Sequence, residues 1–447
     1  MDLQQSSRVK TYTYPSGEIQ KVQSVTLPDW ASLKFTKPIP DTGSFTQVCD
    51  LYEKFIIPKA PYLFGTLVFF SLPDDMEMPF PFDTKYGTVH GRTEAASIAL
   101  RSYMRGSKFS PDDKAKAFTD ELKKRGLFRI MTGTRPFHGR VLPVSGEMGL
   151  LSSLSGDHPF ISNAGFFTMD MFDLGSPYDV IGRPVGLCVK DGICLSPPLF
   201  DREALMVMKD GSISIRQPKL SDVTFEIGGK EYVSGRNARL FERPGSRKAY
   251  PKGYSAAIAG NKVIASAKDI KMIIPSAGFI LKTDEFLVPG SEVVYHGFED
   301  VLFGIQAGNS AVKDGNSVTE FTSYFSNIRD PFKLPIPPSL YPLDYEKARA
   351  PRMAIGSDQN GKPVIVWAEG PGKFDDLNLK GKFSCGASLS EMAAICKDQG
   401  LMNAVNLDGG GSAQILLDGK RKLLISDRHK EDDSEYERSV PMGLTIG

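Results

Sequence analysis

The sequence predicts an α+β fold built on mixed, mostly antiparallel sheets with a few packed helices. Three observations predict it. Short β-type runs recur between residues 184 and 295, and Lys-Asp-Gly turns join two of the pairs. One helix is strongly marked late in the chain. Gly (43 residues) and Pro (31 residues) are abundant, which suits tight turns better than long helices. The 447 residues suffice for two or three domains, or for one large domain with insertions. Hydrophobic content of 41% and charged content of 24% are those of a packed soluble chain.

The elements follow in order. Residues 11–25 alternate partly as a strand does and break at Pro15-Ser16-Gly17, a turn. Residues 73–82 hold three prolines and read as a loop. A helix is expected over 92–104. A second is announced by Ser110-Pro111-Asp112-Asp113, with Ser as N-cap and Pro at the first helical position. It runs to 125 and stops at Gly126. Strands are expected at 184–189, 193–195, 205–207, 212–215, 262–265, 278–281 and 292–295. Residues 363–368 are rich in Val and Ile and read as a strand buried on both faces.

The marked helix starts with Ser388 and Glu391 as a capping box. Leu389, Met392, Ala393, Ile395 and Cys396 recur at helical spacing, and Gly400 ends the helix. A strand at 403–407, three glycines and a strand at 413–417 come next.

Composition excludes some partners. Net charge is +1 and no long block of one sign occurs, so nothing points to nucleic acid or an anionic membrane. The apolar run at 63–72 is too short to span a bilayer. The first residues show no basic segment before an apolar one, so a secretory signal is not expected. The default placement is cytoplasmic; the alternative is an exported mature form whose signal has been removed. The five Cys are too few and too scattered for a disulfide framework, and no Cys/His spacing resembles a zinc site. Cys188 and Cys194 flank a hairpin turn and are either bridged or, as the plainer reading has it, two half-buried thiols.

The most unusual run is Asn406-Leu407-Asp408-Gly409-Gly410-Gly411-Ser412. Consecutive glycines lose much backbone freedom on folding. Either a ligand approaches the backbone closely, or successive N–H groups point at one anion. The plain alternative is a glycine-rich hairpin capped by Asp408. It is not a Walker-type loop, because the Lys-Ser/Thr pair is missing. A second segment, Asn163-Ala164-Gly165-Phe166-Phe167, ends a strand in a small-residue turn. Asn163 either binds sugar or phosphate there or only satisfies the turn.

These segments resemble, in order, those of the phosphodiester glycosidase family. Residues 163–167 are similar to its Asn-Gly-Gly-Phe-Phe motif, and 184–192 to its Pro-Val-Gly-Leu strand and Asp-Gly turn. Residues 274–279 and 307–315 resemble two further segments. Pro351-Arg352-Met353-Ala354-Ile355-Gly356 looks like its Pro-Arg-Thr-Ala-Ile-Gly motif, and 406–412 carry its signature. The resemblance covers about 130–447. Ala164, Met353, Asn309-Ser310 and Glu369 depart from the family pattern. The expected division is an N-terminal extension, 1–125, of strands and two helices, followed by a catalytic domain, 126–447.

The resemblance implies hydrolysis of the bond between an anomeric carbon and a phosphodiester oxygen. The expected catalytic carboxylates are Asp408, as base or nucleophile, and Glu369 as the second acid. Arg352 is the expected phosphate clamp, since its planar fork can hold two oxygens. Asn163, Asn406, Gly409, Gly410, Gly411 and Ser412 would position substrate. Plainer readings stay open for Arg352 as a strand-start salt bridge and for Glu369 as a solvated turn residue. No cofactor is obligatory; a divalent cation beside Asp408 is the one addition the loop would admit. The expected partner is a phosphodiester-linked glycan or glycosyl phosphate. Two other classes stay in view: a phosphoglycan-binding protein without activity, and a phosphodiesterase that cuts a P–O bond.

Overall fold

The computed structural model describes residues 3–35, 82–84, 87–89, 149–155, 158–168, 182–200, 202–243, 248–321, 349–370, 383–428, 434–438 and 440–446. The two helices expected at 92–104 and 110–125, and the loop at 73–81, lie outside these residues. Every pairing between described strands is antiparallel, and parallel contacts occur only as isolated bridges such as Ile19 to Ser384. The expected mixture of pairings is therefore corrected to antiparallel sheets among the described residues. Helices there are few: Leu389–Asp398, the four-residue Leu151–Leu154 and two 3-10 turns. None is long and apolar enough to cross a membrane. The structure lends no weight to the cytoplasmic default.

A seven-stranded sheet forms the frame of the candidate site. Its order is Ser7–Thr13, Ile19–Thr26, Pro363–Ala368, Arg352–Asp358, Leu401–Leu407, Ser310–Lys313 and Asn316–Ser317. The hairpin predicted around Pro15-Ser16-Gly17 is its first pair, closed by Gly17 at φ 82°. The first 35 residues contribute strands to two of the sheets. Ile19–Thr26 pairs with Pro363–Ala368, and Leu33–Phe35 pairs with Gly443–Ile446. Alternation in residues 11–25 predicts a strand but cannot say which distant strand it joins.

Alternation splits the large sheet between two cores. Met353, Ile355, Ile365, Trp367, Val405 and Leu407 face one core. Ala354, Val364, Val366, Ala368 and Ala404 face another, which the helix Leu389–Asp398 covers with Leu389, Met392, Ala393, Ile395 and Cys396 buried. This is why Pro363–Ala368 is buried at every position, as its composition predicts. The capping box is formed: Glu391 N–H donates to Ser388 Oγ at 3.2 Å, and Ser388 N–H donates to Glu391 Oε2 at 2.8 Å. Such a cap contributes about 1 kcal/mol. Arg349 grips the same carboxylate at 2.6 Å, tying the helix start to the strand Arg352–Asp358.

Opposite the large sheet, the first core is closed by two others. One runs Ile415–Leu417, Phe160–Asn163, Gly443–Ile446, Leu33–Phe35; the other runs Ile213–Arg216, Ala204–Met208, Val301–Gln306, Cys188–Lys190, Ile193–Ser196. In Ala204–Met208, Leu205 and Val207 face this core while Ala204 and Met206 face a further one beneath. Cys188 and Cys194 obey the same alternation. They sit on the two strands of one hairpin but in different cores, so they are free, fully buried thiols and not a bridge. Burial pushes both thiols up from their ordinary range.

Candidate active site

Strand register brings most of the expected site residues to one end of the large sheet. Met353 lies opposite Leu407, so Arg352 adjoins Asp408. Arg352 lies opposite Ala368, so Glu369 follows at the same end. Phe160–Asn163, from the sheet across the core, ends beside them. The amide of Asn163 clasps the glycine run from both sides. Its Nδ2 donates to Asp408 O at 2.6 Å, and its Oδ1 accepts from Gln414 N–H at 3.1 Å. Asp408 N–H donates to Ala164 O at 3.2 Å. Asn163 therefore holds the loop, and its buried amide is used within the protein.

The glycines have three separate physical reasons. A Cβ at Gly409 would lie 2.6 Å from Pro351 O, so the loop could not approach that backbone. Gly410 has φ 58° with open space around it, which is a conformational requirement. A Cβ at Gly411 would lie 2.2 Å from each carboxylate oxygen of Asp427. The groups that approach Gly409 and Gly411 closely are the protein's own, where the sequence reading expects a ligand. The idea of a free N–H cradle fares less well. Asp408, Gly410, Ser412 and Ala413 already donate to Ala164, Pro351, Gly409 and Gly410 carbonyls. The run itself forms a 3-10 turn, Gly410–Ser412.

Two polar atoms beside the loop stand out. Ser412 Oγ and Asn406 Oδ1 are buried and have no hydrogen-bond partner among the described residues. An unpartnered buried polar atom costs about 1–3 kcal/mol, so both are groups for which a ligand or water would be favourable. The other end of the Asn406 amide is fixed, with Nδ2 donating to Asn309 O at 3.0 Å. Asp408 is only partly buried. Arg352 is 8% exposed and donates from Nε to Ala387 O at 3.0 Å.

Glu369 is neither open nor solvated. It is 3% exposed. Oε1 accepts from Leu424 N–H at 2.8 Å, and Oε2 accepts from the Ser384 hydroxyl. Its carbonyl accepts from Gln20 Nε2 at 2.7 Å. The solvated-turn reading is corrected: this buried carboxylate joins the N-terminal hairpin, the sheet and the segment around Leu424. Glu369→Gln should lower folding stability by about 1–3 kcal/mol, because the Ser384 hydroxyl loses a buried acceptor. Turnover per folded molecule should stay within about threefold, a modest rate change set against an about 1.4 kcal/mol scale per tenfold. Urea unfolding and active-fraction kinetics measure the two effects separately.

Asp427 and Arg438 are the residues that sequence reasoning missed. Arg438 Nε donates to Asp427 Oδ2 at 2.9 Å, and its Nη2 lies 2.8 Å from the same oxygen. Tyr436 N–H donates to Asp427 O at 2.9 Å. In the sequence Asp427 opens a charged stretch, 427–433, that looks like solvated surface. The signal that could have found it is Gly411, which demands a close neighbour. Nearby, Arg421 Nε donates to Gln414 Oε1 at 3.0 Å and pairs with Glu437. Among the described residues, no three His, Cys, Asp or Glu side chains gather as metal ligands.

Comparison with known proteins adds a family and several partial likenesses. Residues 237–447 match the family model described as phosphodiester glycosidase. The mouse N-acetylglucosamine-1-phosphodiester alpha-N-acetylglucosaminidase is 37% identical over 89 residues, or 20% of this chain and 15% of that protein. The human counterpart is 38% identical over 89 residues, with the same shares. The aligned stretch thus spans about 15% of the length of these curated relatives. A solved structure from Synechocystis is 16% identical, with a TM-score of 0.44, over 99% of this chain and 62% of that one.

Proposed function

We propose, from the match of residues 237–447 to the phosphodiester glycosidase family model, that this chain cleaves the glycosidic bond of a sugar-1-phosphate diester. The products are free sugar and a phosphomonoester. One observation carries the reading. Asp408 stands partly exposed at a strand end, on a loop whose backbone is clasped by Asn163 and pinned on Pro351. A carboxylate carried on a backbone fixed in that way starts close to its working position.

The chemistry fits the residues at hand. As the anomeric bond stretches, positive charge builds on the sugar ring and negative charge on the departing phosphate. Asp408 stabilises the first, or adds to it. Arg352, at the first position of the neighbouring strand, supplies positive charge toward the second. Ser412 Oγ and Asn406 Oδ1, buried without partners among the described residues, offer a hydroxyl and an amide oxygen to substrate hydroxyls or to water. A phosphodiester-linked glycan or glycosyl phosphate is the substrate class.

The test is a panel of methyl phosphodiesters of N-acetylglucosamine, glucose and mannose 1-phosphates, with product identification. The first sugar comes from the name of the curated relatives. Free sugar with methyl phosphate supports the reading. Sugar 1-phosphate with methanol would mean that a P–O bond was cut and would overturn it. Binding of a diester without any product would also overturn it and leave a phosphoglycan-binding protein.

A further inference from the structure

We infer that Asp427 is the second catalytic carboxylate of this site and takes the proton of the attacking water. The inference rests on the glycosidase reading above.

Hydrolysis at an anomeric carbon calls for two carboxylates. Asp408 is one. Glu369 is closed to substrate, since Leu424 N–H and the Ser384 hydroxyl take its two oxygens in a buried setting. Asp427 has the opposite arrangement. Arg438 holds Oδ2 through two nitrogens, at 2.9 and 2.8 Å. Oδ1 accepts no hydrogen bond among the described residues. One oxygen is anchored and the other is open, which is the arrangement a positioned base needs. The side chain is 23% exposed, so water and substrate can reach it. The carboxylate lies directly against Gly411, three residues after Asp408. Two carboxylates therefore flank one short loop.

The position also explains the sign of the charge. Phosphate over Gly411 would meet a carboxylate at contact distance, with both groups anionic. The sugar, which becomes positive in the transition state, would meet an attractive one. The Gly411 face of the loop is therefore the sugar side, and the Arg352 end of the sheet is the phosphate side.

The step balances as follows. The water oxygen bonds to the anomeric carbon, and its proton passes to Asp427 Oδ1. The bond from that carbon to the phosphate oxygen breaks, and its electron pair leaves on the phosphate. If Asp408 adds first, phosphate leaves in that earlier step and water then displaces the Asp408 carboxylate. In both routes the water proton needs an acceptor, and afterwards Asp427 returns the proton to solvent.

The experiment uses the full chain and the diester that the wild type hydrolyses best in the panel above. Asp427→Asn is expected to lower kcat by about 10²- to 10³-fold. Its KM should stay within about threefold and its melting temperature within a few degrees. Asp427→Ala should regain part of its turnover in added formate, which a purely structural role would not allow. Should Asp427→Asn fail to fold, Arg438→Gln decides: it frees Oδ2 and should cost about tenfold in kcat. Wild-type turnover with kcat of the decisive variant within about threefold, and no formate rescue, overturns the inference and leaves the glycosidase reading standing. A wild type that turns over no diester overturns the reading and this inference together.

Discussion

Replacing Asp408 by alanine is expected to abolish sugar release, by about 10³-fold or more in kcat, without unfolding the protein. The separation of the two effects follows from the loop. Two of the bonds that hold it at this residue run through the backbone: Asp408 O accepts from Asn163, and Asp408 N–H donates to Ala164 O. Alanine keeps both. The deleted carboxylate belongs to a partly exposed side chain, so little buried packing goes with it. Stability should therefore stay within about 1 kcal/mol of wild type by urea unfolding. Product release is followed with the active diester at saturation. Turnover within about tenfold of wild type in a folded variant would take Asp408 out of the chemistry.

The second large effect is a graded one across the three glycines. Gly410→Ala should be the mildest. Its φ of 58° is left-handed, but nothing stands where the methyl would go. The cost is that of an L-residue in that region, about 1–2 kcal/mol. Gly409→Ala drives a methyl into Pro351 O at 2.6 Å, a backbone atom that moves only with the strand. Gly411→Ala drives one into the Asp427 carboxylate at 2.2 Å, and that carboxylate is tied to Arg438. Overpacking of this kind typically costs about 1–3 kcal/mol, here with a broken ion pair in addition. Gly411→Ala should also lose most activity, because it displaces Asp427 from the loop. Melting temperatures and kcat for the three variants test the order. Equal effects at all three positions would contradict the geometry.

Local signals were readable in the sequence; distant partnerships were not. The helix Leu389–Asp398 was legible at both ends because its cap and its stop are written within a few residues. The turn at Asp191-Gly192, with φ 51° and 84°, was legible for the same reason. The Val- and Ile-rich run at 363–368 showed burial on both faces but not its neighbours. The glycine run is legible as an unusual feature, and in the fold it lies beside Asn163, Pro351 and Arg352. The reason for its glycines was hidden, because Asp427 and Pro351 reach it from other parts of the chain. The burial of Glu369 was hidden for a related reason. A carboxylate after a strand looks like a turn residue until Ser384 and Leu424 are seen to close over it.

The N-terminal hairpin has a consequence for synthesis of the chain. Gln20 bonds to Glu369 across a separation of 349 positions, and Val22 and Val25 are buried only once Pro363–Ala368 lies beside them. At about 5–20 residues per second on the ribosome, the hairpin waits roughly 20 to 70 s for its neighbour. Throughout that wait the inner strand is an edge with unpaired backbone groups, open to pairing with another nascent copy. The frame of the candidate site is therefore completed late, by a segment meeting another made 349 positions after it.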